Sequence, residues 1–202
     1  MDAAFQNLAS RLGGTLLRRA LLTGGVSARV ELLELSLAHG EVRRVVFRQH
    51  GAAGWKPNPS DVTRQEFELL GALSSRGLPV PTPLFLVGAD DGFGSPGFVM
   101  EWCEGTSTIA DPDEAWPQLA AFLATLHAVP LDLVPELPGR EDPVEGLRTY
   151  ASRLPAGLLR LLDEGLPPRA PRRTLLHGDV WPGNLLWRDG ALVAVLEGTM
   201  AA

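Results

Sequence analysis

The chain has 202 residues, of which 45% are hydrophobic, so it can form one large domain or two small lobes with a real core. Its formal net charge of -6 argues against a general nucleic-acid binder, because that role requires a basic surface. A single cysteine excludes an internal disulfide, the N-terminus does not resemble a secretory signal, and the apolar runs are too short to span a bilayer. We therefore expect a cytoplasmic protein that binds neither nucleic acid nor membranes.

The first part of the chain is patterned as antiparallel strands. Over about residues 16–49, apolar and polar side chains alternate in short runs rich in β-forming residues. Turn signals at Gly24-Gly25 and at His39-Gly40 break these runs. The pattern predicts a sheet of three strands joined by hairpins.

A helix and a further hairpin follow these strands. Ser60 or Asp61 could cap a helix whose apolar positions recur at helical spacing and which stops near Gly77. After a proline-rich segment, two apolar runs over 84–87 and 98–102 flank a glycine-rich turn. These runs predict another hairpin in the same half of the chain.

The second half begins with helical patterns and ends with a hairpin. Apolar residues recur at helical spacing over 113–127, and an interrupted helical pattern covers about 144–162. Near the end, apolar runs over 185–187 and 192–196 frame Asp189-Gly190, a pair typical of a tight turn. A mostly helical region with one hairpin is therefore expected here.

A histidine, an aspartate and an asparagine in one short segment carry the strongest chemical signal. His177 precedes Asp179, and Asn184 follows this aspartate at the aspartate-to-asparagine spacing of a kinase catalytic loop. Phosphoryl transfer needs a carboxylate to accept the proton of the attacking hydroxyl and a nearby amide oxygen to help hold Mg²⁺. One loop can supply both groups. The alternative is an ordinary turn in which Asp179 caps local backbone and Pro182 and Gly183 continue the bend.

The segment 177–187, His-Gly-Asp-Val-Trp-Pro-Gly-Asn-Leu-Leu-Trp, resembles the signature of the aminoglycoside phosphotransferase and choline kinase-like superfamily, and fructosamine kinases carry a similar version. The resemblance implies an α+β, protein-kinase-like fold of two lobes. The N-terminal lobe would hold an antiparallel sheet and one helix, and the C-terminal lobe would be mostly helical and incomplete. The implied boundaries are 1–102 for the nucleotide-binding lobe and 103–202 for the catalytic lobe, with a hinge near 101–105.

The resemblance also implies the activity and the roles of the loop residues. ATP would donate its γ-phosphoryl group to a hydroxyl of a small molecule such as an aminoglycoside, an amino alcohol or a sugar amine. Asp179 would be the catalytic base, and Asn184 would bind Mg²⁺. His177 is predicted to organise the loop rather than to act as the base. Trp181 would either line the substrate entrance or pack under the loop.

One position departs from the family pattern. Relatives carry a second magnesium ligand, an aspartate, at the place that Glu197 occupies here. The extra methylene of glutamate moves the carboxylate outward, and Mg²⁺ tolerates poor octahedral geometry badly. We therefore expect a weakened or absent second metal contact.

The nucleotide is expected to meet the N-terminal lobe and the hinge. Gly24, Gly25 and Ser27 resemble the loop that covers the phosphates, although two glycines between strands also suit a simple hairpin turn. Backbone groups of the hinge would meet the adenine edge, although the same side chains would suit an inner core strand. The hinge residues in question are Glu101, Trp102 and Cys103.

A basic residue in the third predicted strand is a candidate for gripping phosphate. Arg48 stands where kinases place a strand lysine, and its planar guanidinium could bind the α- and β-phosphates. Its partner would be a carboxylate on the following helix. Glu66 is our choice, and Glu68, about 200° around the helix from it, is the competitor.

The resemblance ends early. Relatives normally continue for many residues beyond the position of Ala202, so we expect a C-terminally truncated member of the family. A missing helical layer would leave apolar faces that a second copy of the chain could cover in a homodimer. The alternative function is a catalytically impaired, pseudokinase-like nucleotide-binding or interaction module. A protein kinase is disfavoured because the chain lacks room for an activation segment and a peptide-binding lobe.

Overall fold

A computed structural model of the protein describes residues 2–22, 28–50, 59–137, 157, 160, 173–196 and 200–201. The predicted phosphate-covering loop with Gly24, Gly25 and Ser27 lies outside these ranges, and so does Glu197. The helical pattern over 144–162 is outside them too, apart from residues 157 and 160. No helix within the described ranges is both long enough and apolar enough to cross a membrane.

Five antiparallel strands form the main sheet, in the order β1-β2-β3-β5-β4. The predicted three-stranded sheet and the following hairpin are therefore confirmed, and pairing of β3 with β5 joins them into one sheet. His39 and Gly40 turn the chain between two strands with φ angles of 78° and 82°. The strands are β1 (Gly14–Leu22), β2 (Ala28–Leu37), β3 (Val42–His50), β4 (Pro83–Val87) and β5 (Gly97–Glu101).

Two helices pack against opposite faces of this sheet. The predicted helix is α2 (Pro59–Ser74), whose Phe67 and Leu70 pack with Val46 of β3. The helix α1 (Asp2–Arg11) packs with Phe47, which alternates with Val46 along β3 and so points the other way. The sequence analysis did not predict α1, because a helix of ten residues is marginal without the sheet that it packs on.

The second half of the chain is built around α3 (Pro112–His127), as predicted. The side chain of Asp111 caps it by accepting a hydrogen bond from the backbone N–H of Asp113 at 2.9 Å. The predicted hairpin is present as β7 (Leu185–Arg188) and β8 (Ala191–Val195), and two short strands pair beside it, β6 (Leu175–Leu176) and β9 (Met200–Ala201).

One apolar core joins the two halves. Leu69 and Leu73 of α2 pack with Leu119 and Leu126 of α3 and with Leu185 of the hairpin. The backbone N–H of β8 residue Val195 also donates to the carbonyl of Pro79, just after α2, at 2.7 Å. Helix α2 therefore contacts the sheet on one side and the α3 core on the other.

A single glutamine clamps the β7–β8 hairpin to α3. Gln118 donates through Nε2 to the carbonyl of Gly190 at 2.8 Å and accepts through Oε1 from the N–H of Leu192 at 3.0 Å. Gly190 lies in the turn of the hairpin, and Leu192 lies in β8. The side chain thus satisfies backbone groups that the hairpin leaves unpaired.

We expect Gln118→Ala to lower the free energy of unfolding by about 1–2 kcal/mol, because two hydrogen bonds are lost and the half-buried N–H of Leu192 loses its acceptor. Urea denaturation followed by circular dichroism measures the change. Gln6→Ala, at an exposed position of α1, is the matched control and should leave the midpoint nearly unchanged. Equal midpoints for the two variants would show that the clamp contributes nothing.

Candidate functional site

A cleft of about 650 Å³ lies between the α2 side of the sheet and the loop that precedes β7. Of the predicted site residues that the structure describes, all except Glu101 line this cleft. They come from four different parts of the chain and are Arg48, Glu66, Trp102, Cys103, His177, Asp179, Trp181 and Asn184. Folding has therefore gathered residues that the sequence separates widely.

One end of the cleft has apolar walls from both halves of the protein. Leu22 and Val30 line it from the first two strands, and Met100 lines it from β5. Leu186 and Val195 of the β7–β8 hairpin line the opposite side. A slot lined by apolar side chains from both halves of the protein suits a flat aromatic ring.

The predicted hinge borders this apolar end. Trp102 and Cys103 are half-buried and line the cleft, whereas the side chain of Glu101 is exposed. The backbone N–H of Glu101 donates to the carbonyl of Thr82 at 2.9 Å, so this N–H is already engaged within the protein. The side chains that line the cleft therefore belong to the two residues that follow β5.

The linker after the hinge is held against β7. Thr106 and Trp187 exchange two backbone hydrogen bonds, of 2.9 and 2.8 Å. At Gly105 a Cβ atom would lie 3.1 Å from the Cβ of Leu186 and 3.1 Å from the carbonyl oxygen of Trp187. Any other residue here would push the linker and the hairpin apart by a few tenths of an ångström.

The thiol of Cys103 is kept protonated by its surroundings. Burial raises its pKa above the ordinary value, and the negative charge of Glu101 raises the pKa further. The thiolate is the reactive form of cysteine, so Cys103 is a weak nucleophile at neutral pH.

The phosphate-grip candidate Arg48 is buried in β3 and forms an ion pair with α2. Its Nε lies 3.0 Å from Oε1 of Glu66. Glu68 is exposed to solvent. The structure thus places Glu66, and not its competitor, against the arginine, while a role of either residue in binding phosphate stays a prediction.

Sequence reasoning missed a second residue that contacts Glu66, in addition to Arg48. His50 is buried at the end of β3, and its Nε2 lies 2.5 Å from Oε2 of Glu66. The available signal was the period of two, which places Arg48 and His50 on the same face of the strand. A polar residue two positions from a strand arginine is therefore a candidate for contact with the same carboxylate.

The loop 177–184 is organised by its first residue. The buried His177 accepts a hydrogen bond at Nδ1 from the N–H of Asp179, at 3.3 Å, so its proton is on Nε2. Nε2 donates to the carbonyl of Leu196 at 3.1 Å. Between them, Gly178 has a φ of 82°, which favours glycine. These contacts suit the predicted role of His177 in organising the loop.

Asp179 and Asn184 meet across the loop. The Nδ2 of Asn184 donates to the carboxylate Oδ2 of Asp179 at 3.1 Å and to its backbone carbonyl at 3.0 Å. Asn184 is buried, and its backbone carbonyl accepts a hydrogen bond from the backbone N–H of Leu196 at 2.7 Å. Asp179 itself is exposed and faces the cleft. The carboxylate is thus oriented by a neutral partner and open to a bound molecule.

The ring of Trp181 lies on the loop and is half exposed. A Cβ atom at Gly183 would come within 2.2 Å of this ring, so any other residue there would displace the indole. With 51% of its surface exposed, Trp181 lines the mouth of the cleft and also contacts its own loop. Trp181 therefore contacts its own loop, while a role in lining a substrate entrance stays a prediction.

A magnesium site stays a prediction. Within the described part of the chain, no group of three or more His, Cys, Asp or Glu side chains is placed to hold a metal ion. Asn184 lines the cleft with its nitrogen committed to Asp179, and Glu197 follows directly on Leu196 in the sequence but is outside the described residues. Amide and carboxylate oxygens fit Mg²⁺, which usually completes its shell with phosphate oxygens and water.

Comparison with solved structures identifies the fold. The chain superimposes on macrolide 2'-phosphotransferase MphH from Brachybacterium faecium with a TM-score of 0.70 and 20% identity, covering 100% of this chain and 73% of that one. A putative aminoglycoside phosphotransferase from Ralstonia eutropha gives 0.71 and 18%, covering 100% and 66%. A mutant of APH(4)-Ia in ternary complex with ADP and hygromycin B gives 0.63 and 14%, covering 98% and 72%. The predicted kinase-like α+β fold is confirmed.

Sequence comparisons agree with this fold. Acyl-CoA dehydrogenase family member 10 from Mus musculus is 27% identical over 181 residues, and the match spans 77% of this chain but only 17% of that protein. The profile of the phosphotransferase enzyme family matches residues 20–196, which include the cleft and the loop 177–184. The chain belongs to the phosphotransferase enzyme family.

Proposed function

We propose that the protein transfers the γ-phosphoryl group of ATP to a hydroxyl group of a small molecule. The observation that carries this proposal is the single cleft that holds both the Arg48–Glu66 pair and the Asp179–Asn184 pair. The first pair offers a fixed positive charge for phosphate, and the second offers a carboxylate for the attacking hydroxyl. Family membership and the ADP bound to one structural neighbour point the same way.

The nucleotide is proposed to enter with its base in the apolar slot. Val30 and Leu186 would cover the two faces of the ring, and the backbone after β5 would meet its edge. The phosphates would then extend toward Arg48, whose guanidinium is buried at the cleft wall and held by Glu66. A guanidinium fixed in advance binds phosphate without the entropy cost of ordering a flexible side chain.

The chemical step needs the acceptor hydroxyl placed between Asp179 and the γ-phosphorus. The hydroxyl oxygen forms a bond to phosphorus, its proton passes to the carboxylate of Asp179, and the bond to the β-phosphate oxygen breaks to release ADP. The hydrogen bond from Asn184 orients the carboxylate for this transfer. Mg²⁺, held through Asn184 and with Glu197 as a second candidate, would neutralise the phosphate charge.

A nucleotide-binding module without catalysis is the second candidate. It is favoured by one feature, the glutamate at position 197 where the family resemblance calls for an aspartate. Such a module would bind ATP in the same cleft without turnover. The two candidates differ in ATP consumption with an acceptor, so one set of assays separates them.

We expect Asp179→Asn to lower kcat for phosphoryl transfer by about 10²- to 10⁴-fold, the usual contribution of a positioned base. An asparagine keeps an oxygen for the hydrogen bond from Asn184, so the loop and the Kd for ATP should change little. The measurement is acceptor-dependent ADP release, with a panel of aminoglycosides, amino alcohols and sugar amines.

Asp189→Asn in the β7–β8 turn is the matched control, because Asp189 is exposed and its φ of 51° is well tolerated by asparagine. This control should keep full activity. Undiminished turnover in the Asp179 variant would contradict the mechanism. ATP binding with no turnover on any acceptor would favour the non-catalytic module.

Cys103 offers an independent test of where the nucleotide binds. It is the only cysteine of the chain and lines the apolar end of the cleft, so a thiol reagent such as dithionitrobenzoate reports on this place alone. Because its pKa is raised, labelling should be slow near pH 7 and accelerate as the pH increases through 9 and above. Saturating MgATP should slow the labelling by about tenfold or more by covering the thiol.

The control for this experiment is MgCl₂ alone at the same ionic strength, which should leave the labelling rate unchanged. Labelling that proceeds equally fast with saturating MgATP would place the nucleotide elsewhere. The pH series without nucleotide checks that the thiolate, and not a conformational change, limits the rate.

A further inference from the structure

The cluster around Glu66 contains a buried histidine that the proposed mechanism does not use. His50 is 5% exposed and ends β3, two residues after Arg48. Successive side chains alternate along a strand, so Arg48 and His50 both point toward α2. One carboxylate on α2 meets both of them, through Oε1 at 3.0 Å and through Oε2 at 2.5 Å.

The partner determines which nitrogen of His50 carries a proton. An ionised carboxylate only accepts hydrogen bonds, so Nε2 must be the donor whether or not the ring is charged. The acceptor of this hydrogen bond is a carboxylate, and hydrogen bonds to ionised groups are stronger than those between neutral groups. Oε1 of Glu66 thus forms the ion pair with Arg48, and Oε2 accepts the hydrogen bond from His50, so rotation of the carboxylate would break at least one of these contacts.

His50 is not among the residues that line the cleft, whereas Arg48 and Glu66 both are. A nucleotide in the cleft would therefore not touch the histidine. Any influence on binding must pass through Glu66, because this carboxylate is the group that His50 shares with Arg48.

We propose that His50 is a positioning residue, which holds the Glu66 carboxylate in the orientation that keeps Arg48 fixed at the cleft wall. This inference rests on the proposed function, in which Arg48 binds the phosphates of ATP. Without His50, the carboxylate can turn its second oxygen toward water. The oxygen that contacts Arg48 is then no longer held in one position. The guanidinium then samples several orientations, and the phosphates must order it on binding.

The first test is spectroscopic and needs no nucleotide. The Nε–H of Arg48 should give a slowly exchanging ¹⁵N–¹H NMR signal, assigned by its disappearance in Arg48→Lys. We expect His50→Leu, which removes the donor, to shift this signal and speed its exchange with water. His50→Gln keeps an N–H donor at a similar reach and should preserve the signal.

The second test measures binding of MgATP by calorimetry. We expect His50→Leu to raise the Kd about tenfold, the effect of one hydrogen bond to a charged group. His50→Gln should remain within about threefold of the wild type. In the Arg48→Met background, His50→Leu should add nothing further, since a residue that acts through Arg48 has no effect once Arg48 is gone.

Gln49→Leu controls for loss of stability. Gln49 is the buried polar neighbour of His50, but it faces the other side of β3 and donates to the carbonyls of Phe93 and Ser95 at 3.0 and 2.9 Å. This variant should unfold more readily and still bind MgATP with unchanged affinity.

The outcomes separate the inference from the function on which it rests. An unchanged Arg48 signal in His50→Leu overturns the positioning role, and so do additive effects of His50→Leu and Arg48→Met on the Kd. If wild-type protein gives no saturable heat with MgATP, the proposed function fails, and the Arg48 signal still decides whether His50 positions the arginine.

Discussion

The pairing of a buried arginine with a carboxylate on the neighbouring helix is the interaction on which the rest of the site depends. Removing a guanidinium from water is costly unless a charged partner and further hydrogen bonds compensate it. Glu66 of α2, 3.0 Å away, supplies the charged partner of Arg48, and Glu66 is itself contacted by His50. The cluster therefore sets where α2 lies on the sheet, and α2 sets one wall of the cleft.

The same helix also packs against the core of the other half of the protein. Leu69 and Leu73 lie one turn apart on α2 and pack into the core formed by α3 and the β7–β8 hairpin. That core carries the loop 177–184, whose ends are bonded to Leu196 by His177 and Asn184. The distance across the cleft between Arg48 and the loop 177–184 thus depends on the packing of one helix.

Specific local features explain why much of this arrangement was predictable. The strands β1 to β5, the helices α2 and α3 and the β7–β8 hairpin were predicted because their apolar residues repeat with the period of the element that they form. The loop residues Asp179 and Asn184 were found by spacing, since five residues of a tight loop bring the two side chains within 3.1 Å. Glu66 was chosen over Glu68, which lies about 200° around the helix from it, and the exposure of Glu68 agrees with that choice.

Other features could not be read from local patterns. Helix α1 depends on the sheet face that covers Phe5, and the role of His50 depends on the distance between a strand and a helix that are separated by a loop. The amino-acid sequence by itself determined the order of the strands β1 to β5, the helices α2 and α3 and the β7–β8 hairpin, and it carried the loop signature that points to the family, because each of these is encoded in residues close together in the chain. Only the tertiary structure decided which residues share the cleft and that the two carboxylate oxygens of Glu66 contact Arg48 and His50. The physical reason is that burial and contacts between distant segments exist only after the helices have packed on the sheet.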